Sequence, residues 1–98
     1  MFVFKAAVVG AGTMGGEIAQ AIAAADIDVV LKDIDQKFVD TGLEKAKQVT
    51  MGQLDKLVSK EKLTQEQADT RLEEVIGRIH GTTDYSQFGD VDFVIEAG

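Results

Sequence analysis

The chain has 98 residues, 45% hydrophobic and 28% charged, with a formal net charge of −7; that is one small domain, and the negative balance argues against a general nucleic-acid or anionic-membrane surface, which needs clustered Lys and Arg. Cysteine is absent and histidine occurs once, which excludes disulfides, thiolate chemistry and a metal-ligand cluster and fits a reducing, cytoplasmic setting. No apolar run reaches membrane-spanning length, and "MFVFKAAVVG" is too short and too strand-like for a signal peptide.

Val3 to Val9 is a short apolar run, the pattern of a buried parallel strand. Ile18, Ala21, Ile22 and Ala25 then recur at helical spacing on an alanine-lined helix that can sit close on a sheet. "DID" at 26–28 is a break, and Val29 to Leu31, with Ile27 as a further candidate, reads as a second buried strand that ends at Asp33. Asp35 is a candidate N-cap for a helix from Gln36 to about Ser59, with apolar residues at Val39, Leu43, Ala46, Val49, Leu54, Leu57 and Val58. Gly42 and Gly52 weaken that helix locally. "KEK" makes a polar turn, and Thr64 with Gln67 has the spacing of a capping box. Ala68, Leu72, Val75 and Ile76 mark another amphipathic helix, expected to stop at Gly77. A brief strand around Ile79 and a last one over 92–97 complete a β-α-β-α-α-β-β order. That alternation predicts an α/β fold with a parallel sheet and right-handed crossovers, the strands in order 3-2-1-4 and a helical pair inserted between strands 2 and 3.

Gly10, Gly12 and Gly15 spell G-x-G-x-x-G between the first strand and the first helix, and an acidic residue, Asp33, ends the next strand 18 residues after Gly15. This is the dinucleotide-binding fingerprint in its confirming context. Gly10 permits the tight turn, Gly12 lets a pyrophosphate approach the backbone, and Gly15 lets helix and strand pack closely. The helix starting near Thr13 points free N–H groups and its positive end at the phosphates, so an acidic protein can bind an anion without a lysine cluster. Asp33 can accept from both ribose hydroxyls and repels a 2′-phosphate, which favours NAD over NADP; Lys32 and Lys37 oppose that preference.

"VVGAGTMGGEIAQAIAAADIDVVLKDID", "KLTQEQADTRLEEVIGRI" and "GTTDYSQFGDVDFVIEA" together resemble the start of the 3-hydroxyacyl-CoA dehydrogenases, from about Lys5 to Ala97. The resemblance implies a Rossmann-type NAD-binding domain of a two-domain enzyme of fatty-acid oxidation and butyrate-type metabolism. Such an enzyme oxidises an L-3-hydroxyacyl-CoA to the ketone. It further implies that Gly10, Ala11, Gly12, Thr13, Met14 and Gly15 bind the pyrophosphate, that Asp33 binds the adenosine ribose, and that Ala97 lies near the adenosine side. The long helix would lie near coenzyme A, with Lys56 as a candidate contact.

The family's catalytic His–Glu pair and helical dimerisation domain would lie past Gly98, so residues 1–98 are expected to be the N-terminal part of the NAD-binding domain, inactive alone. His80 is read as structural, and Glu96 as either an exposed strand end or the lining of a cofactor crevice. No catalytic or metal-ligating residue is assigned. Two other readings compete: a dehydrogenase of a free hydroxy acid, and a nucleotide-binding module without chemistry. An exposed edge at the last strand points to a homo-oligomer.

Overall fold

The computed structural model describes residues 4–97. Its elements are β1 (Lys5–Val9), α1 (Gly12–Ala24), β2 (Asp28–Lys32), α2 (Gln36–Ser59), α3 (Gln65–Gly77), β3 (Ile79–Thr82) and β4 (Phe93–Glu96). The four strands form one parallel sheet in the order β3-β2-β1-β4, the expected Rossmann-type arrangement with a helical pair between β2 and β3. Val3, expected at the head of the first strand, lies outside the described residues. Ile27 stays out of β2, which instead runs on through Lys32.

Side chains alternate along a strand, so the register sorts the sheet into two faces. Ala6, Val29 and Ile79 stand level, as do Val8, Leu31 and Gly81. Of these, Val8, Val29, Leu31 and Ile79 join Ala19 and Ala23 of α1, Ala46 of α2 and Val75 of α3 in one buried cluster. Ala7, Val30, His80 and Val94 belong to the other face, as do Val9, Lys32, Thr82 and Glu96.

Among the described residues no helix covers that second face. β3 and β4 lie at opposite edges, so the segment between them, 83–92, must cross the sheet. Lys32 Nζ stands 4.1 Å from the Tyr85 ring centroid, and Lys5 Nζ bonds Asp90 at 2.8 Å. Both lysines point away from the helices, so the crossing runs over the second face. Tyr85 and Phe88 meet edge to face at 4.9 Å along it. The smallest extent of the molecule, 17 Å, is that of a sheet and one helical layer, not of three layers.

α2 and α3 begin on caps that the sequence spacing predicts. Asp35 accepts from the Lys37 N–H at 2.9 Å. The Gln67 N–H donates to Thr64 Oγ1 at 3.1 Å while the Thr64 N–H donates to Gln67 Oε1 at 2.9 Å. α1 and α2 end alike. The Ile27 N–H reaches Ile22 O at 3.3 Å and the Asp26 N–H reaches Ala23 O at 3.0 Å; the Lys62 N–H reaches Leu57 O at 2.9 Å and the Glu61 N–H reaches Val58 O at 3.0 Å. This Schellman pattern needs left-handed backbone just past the cap, and Asp26 (φ 65°) and Glu61 (φ 59°) supply it. α3 ends at Gly77 as expected, but as its last helical residue and not past the cap: the cap is Arg78 in right-handed backbone, and β3 starts at once.

The inward face of α1 is rotated from the expected stripe. Gly15, Gly16, Ala19, Gln20 and Ala23 are buried, whereas Ala21 and Ala25 are exposed. α1 is held between the sheet and α2, so its smallest residues make the closest approaches. Gln20 enters the interior because Nε2 donates to Thr50 Oγ1 at 3.2 Å and to Gln53 Oε1 at 3.0 Å. Gly42, expected only to weaken α2, is where α2 meets α1: a Cβ on Gly16 would run into the Gly42 carbonyl oxygen. Gly52 has nothing within 4 Å of where its Cβ would be, and α2 runs on through it.

Candidate functional site

β1 lies between β2 and β4, the chain passing from β1 to β2 on one side and arriving from β3 at β4 on the other. Ligands of open parallel sheets bind at the carboxyl ends of strands at such a switch point. Three of the expected site segments meet there: the turn after Val9, Asp33 just past β2, and Ala97 just past β4.

The turn has the backbone that the glycines were assigned. Gly10 and Gly12 take φ 93° and 78°, a region that L side chains enter only at a cost. A Cβ on Gly15 would collide with the Gly10 carbonyl oxygen and stand 3.5 Å from Leu31 Cδ1, so Gly15 is what lets α1 start directly against the turn. A Cβ on Gly12 would meet nothing within 4 Å. The position that side chain would take is open.

α1 begins at Gly12, one residue before the expected start. Its N-cap is Ala11, which offers no side-chain acceptor, and its first turn holds no acidic residue. The N–H groups of Gly12, Thr13 and Met14 therefore stand at a helix end with no side-chain cap, where the Asp33 carboxylate bonds only the N-cap N–H of Ala11. α2 and α3 are capped by Asp35 and Thr64; α1 is left ready for an anion.

Asp33 is half-buried and ties the site together. Oδ2 accepts from the Ala11 N–H at 2.9 Å, and Oδ1 accepts from the Ile34 N–H at 2.7 Å and from the Asp35 N–H at 3.4 Å. These bonds, that from Ala11 foremost, hold its carboxyl below the usual carboxylate range, with the Lys32 charge adding to them. Ala97 packs against the core cluster, and its N–H donates to Val9 O at 2.8 Å. Lys32 is 5% exposed, and its ammonium lies on the Tyr85 ring, on the face away from the helices.

The remaining candidates stand apart from this cluster. Glu96 is exposed at the end of β4, level with Val9. His80 is exposed within β3 and pairs with Val30. Lys56 is exposed in the last turn of α2, about 20 Å along the axis from Gly42. Sequence reasoning missed Ile34, which follows Asp33 and is 85% exposed. Its signal was available: an isoleucine between two aspartates, just past a buried strand. With Met14, also largely exposed, it brings apolar surface to an otherwise polar site.

Residues 5–98 match the family model of the 3-hydroxyacyl-CoA dehydrogenase NAD binding domain. The chain is 47% identical over 93 residues to a probable 3-hydroxybutyryl-CoA dehydrogenase of Deinococcus radiodurans, covering 95% of this chain and 30% of that protein. Against a peroxisomal fatty acid beta-oxidation multifunctional protein of Arabidopsis thaliana it is 41% identical over 93 residues, covering 95% of this chain and 12% of that one. Its fold is similar to the crystal structure of (S)-3-hydroxybutyryl-CoA dehydrogenase from Ralstonia eutropha, with a TM-score of 0.76 and 37% identity over 99% of this chain and 31% of the other. The chain thus spans less than a third of the length of these relatives. It belongs to the family of NAD-binding domains of the 3-hydroxyacyl-CoA dehydrogenases.

Proposed function

We propose that Gly10, Ala11, Gly12, Thr13, Met14 and Gly15 hold the pyrophosphate of NAD, that Asp33 takes the adenosine ribose, and that Ala97 lies beside the adenosine half. The carrying observation is the open space over Gly12 at an uncapped helix start, joined to Asp33 through the 2.9 Å bond from the Ala11 N–H. The residues fit the cofactor: bare backbone and unpaired N–H groups where phosphates would sit, and an ionised carboxylate in reach of two hydroxyls. The placement of Lys32 on the far face supports NAD over NADP, because its ammonium is engaged by Tyr85 and not aimed past Asp33. When bound, NAD supplies the hydride acceptor.

The chain then serves as the N-terminal part of the NAD-binding domain, 1–98, of an enzyme that oxidises L-3-hydroxyacyl-CoA to 3-oxoacyl-CoA in fatty-acid metabolism. The names of its relatives support this substrate class. Lys56 remains the candidate contact to coenzyme A. No helix among the described residues is long and apolar enough to cross a membrane, and the lack of cysteine supports a cytoplasmic setting. Copies of the 98-residue chain are proposed to associate through the outer edge of β4.

The 98-residue chain is expected to bind NAD and ADP-ribose in a calorimetric titration, NADP more weakly, and to produce no NADH from NAD and 3-hydroxybutyryl-CoA. His80 is its sole histidine and lies in β3, so the proton transfer that speeds such a reaction by about 10²–10⁴ is not supplied here. Absence of NAD binding, equal binding of NADP, or clear turnover would each overturn this reading.

A further inference from the structure

We infer that Gly42 of α2 is a positioning residue for the glycine-rich turn: by admitting the turn against α2, it sets where the phosphate-binding N–H groups stand, without itself touching the ligand. The inference rests on the dinucleotide reading above.

A Cβ on Gly42 would lie 2.8 Å from Leu31 Cδ2, 3.1 Å from the Gly12 carbonyl oxygen and 3.5 Å from Ala11 Cβ. Two of these three neighbours are residues of the turn. From the other helix, a Cβ on Gly16 would strike the Gly42 carbonyl oxygen and stand 2.9 Å from Gly42 Cα. The second turn of α2 is therefore seated against residues 11–12 and against Gly16 of α1 at once. Leu31 closes the stack, with Cδ1 3.5 Å from where a Gly15 Cβ would be and Cδ2 reaching toward Gly42.

An added methyl at position 42 must displace something. Leu31 is fully buried between β2 and the helices, and close-packed interiors yield little. The Gly12 carbonyl oxygen and Ala11 Cβ are the other two neighbours, so whatever Leu31 does not yield, the turn must. Its shift moves the N–H groups of Gly12, Thr13 and Met14 relative to Asp33, and a binding constellation displaced by a fraction of an ångström loses much of its value. Gly52 is the internal control: it lies on the same helix, with nothing within 4 Å of its Cβ position.

The test titrates NAD and adenosine, which has the ribose but no pyrophosphate, into the chain and its variants. Gly42→Ala is expected to weaken NAD binding about tenfold while adenosine binding stays unchanged. Gly52→Ala should alter neither, and adding Leu31→Val to Gly42→Ala should recover NAD binding by giving the methyl room inside. If Gly42→Ala does not fold, the double variant with Leu31→Val carries the test against Leu31→Val alone, and it should bind NAD as that single variant does. NAD binding unaffected by Gly42→Ala, or NAD and adenosine weakened in the same proportion, overturns the positioning role. An unmodified chain that binds no NAD overturns the dinucleotide reading, and the inference with it.

Discussion

A Cβ on Gly15 would meet a backbone carbonyl, which cannot swing aside, whereas a Cβ on Gly12 would meet only open space and strained backbone. The two glycines should therefore separate in experiment. Gly15→Ala is expected to destabilise the fold by about 3 kcal/mol, read as a drop in the urea midpoint. Gly12→Ala should cost about 1–2 kcal/mol, the strain of left-handed backbone, yet abolish NAD binding by filling the space over the turn. A Gly12→Ala protein that binds NAD normally would show that the pyrophosphate lies elsewhere. The turn glycines and Asp33 were legible because the motif is local and its spacing fixed. The bond from the Ala11 N–H to Asp33 was not, since it depends on β1 and β2 lying side by side, Val9 level with Lys32. That bond also sets a pH dependence. Asp33 is held low first by Ala11, Asp26 by Arg71, Asp84 by Ser86 and Asp90 by Lys5. Each binds fewer protons folded than unfolded, so stability should be level down to about pH 5 and fall below about pH 4, where the unfolded aspartates take up protons first. Asp33→Asn should make that acid limb shallower in urea midpoints taken across the range; an unchanged slope would mean that the Asp33 bonds contribute nothing to the folded state.

At the level of elements, what was readable in the sequence was the periodicity and the polar signals at helix starts. Gln36–Ser59 and the Thr64–Gln67 cap follow from side chains a few residues apart. The buried face of α1 did not follow, because Gly16 and Gln20 carry no apolar signal and are inside only through what α2 offers them: the Gly42 backbone and the Thr50 and Gln53 side chains. Helix ends were legible as breaks but not as conformations. Both Schellman ends place an acidic residue where glycine is most at ease, and the two differ in what the side chain does. Asp26 bonds Arg71 at 2.9 Å, which offsets its strained φ. Glu61 is exposed and adds a negative charge at the negative end of α2. Glu61→Gly should thus stabilise the protein by about 1 kcal/mol, seen as a higher melting temperature, while Asp26→Gly gains less because the ion pair is lost. Equal gains at both positions would show that the Arg71 pair is without effect.

For the molecule as a whole, strand order came from the alternation of elements and the right-handed crossover rule. The covering of the second face did not, since Tyr85 and Phe88 sit in a mostly polar stretch and their place depends on distant lysines. That covering is partial. Ala7 and Val30 are fully buried at the middle of the face, but Val94 of β4 is 49% exposed; on the opposite face Phe93, level with Ala6, is 38% exposed. Among the described residues β4 pairs with β1, and no strand of these residues lies along its outer edge. Glu96 is the sole charge between Phe93 and Glu96, and neither lysine nor proline blunts the strand. Such an edge is a template for a second chain, and two copies of one surface meet most simply about a two-fold axis, giving antiparallel pairing. Light scattering over a concentration series should show the chain passing from monomer to dimer. Val94→Lys should shift that equilibrium toward monomer and leave circular dichroism unchanged, because Val94 lies on the helix-free face and not in the core cluster. A monomer that persists at the highest concentration with its fold intact would remove the edge as an interface.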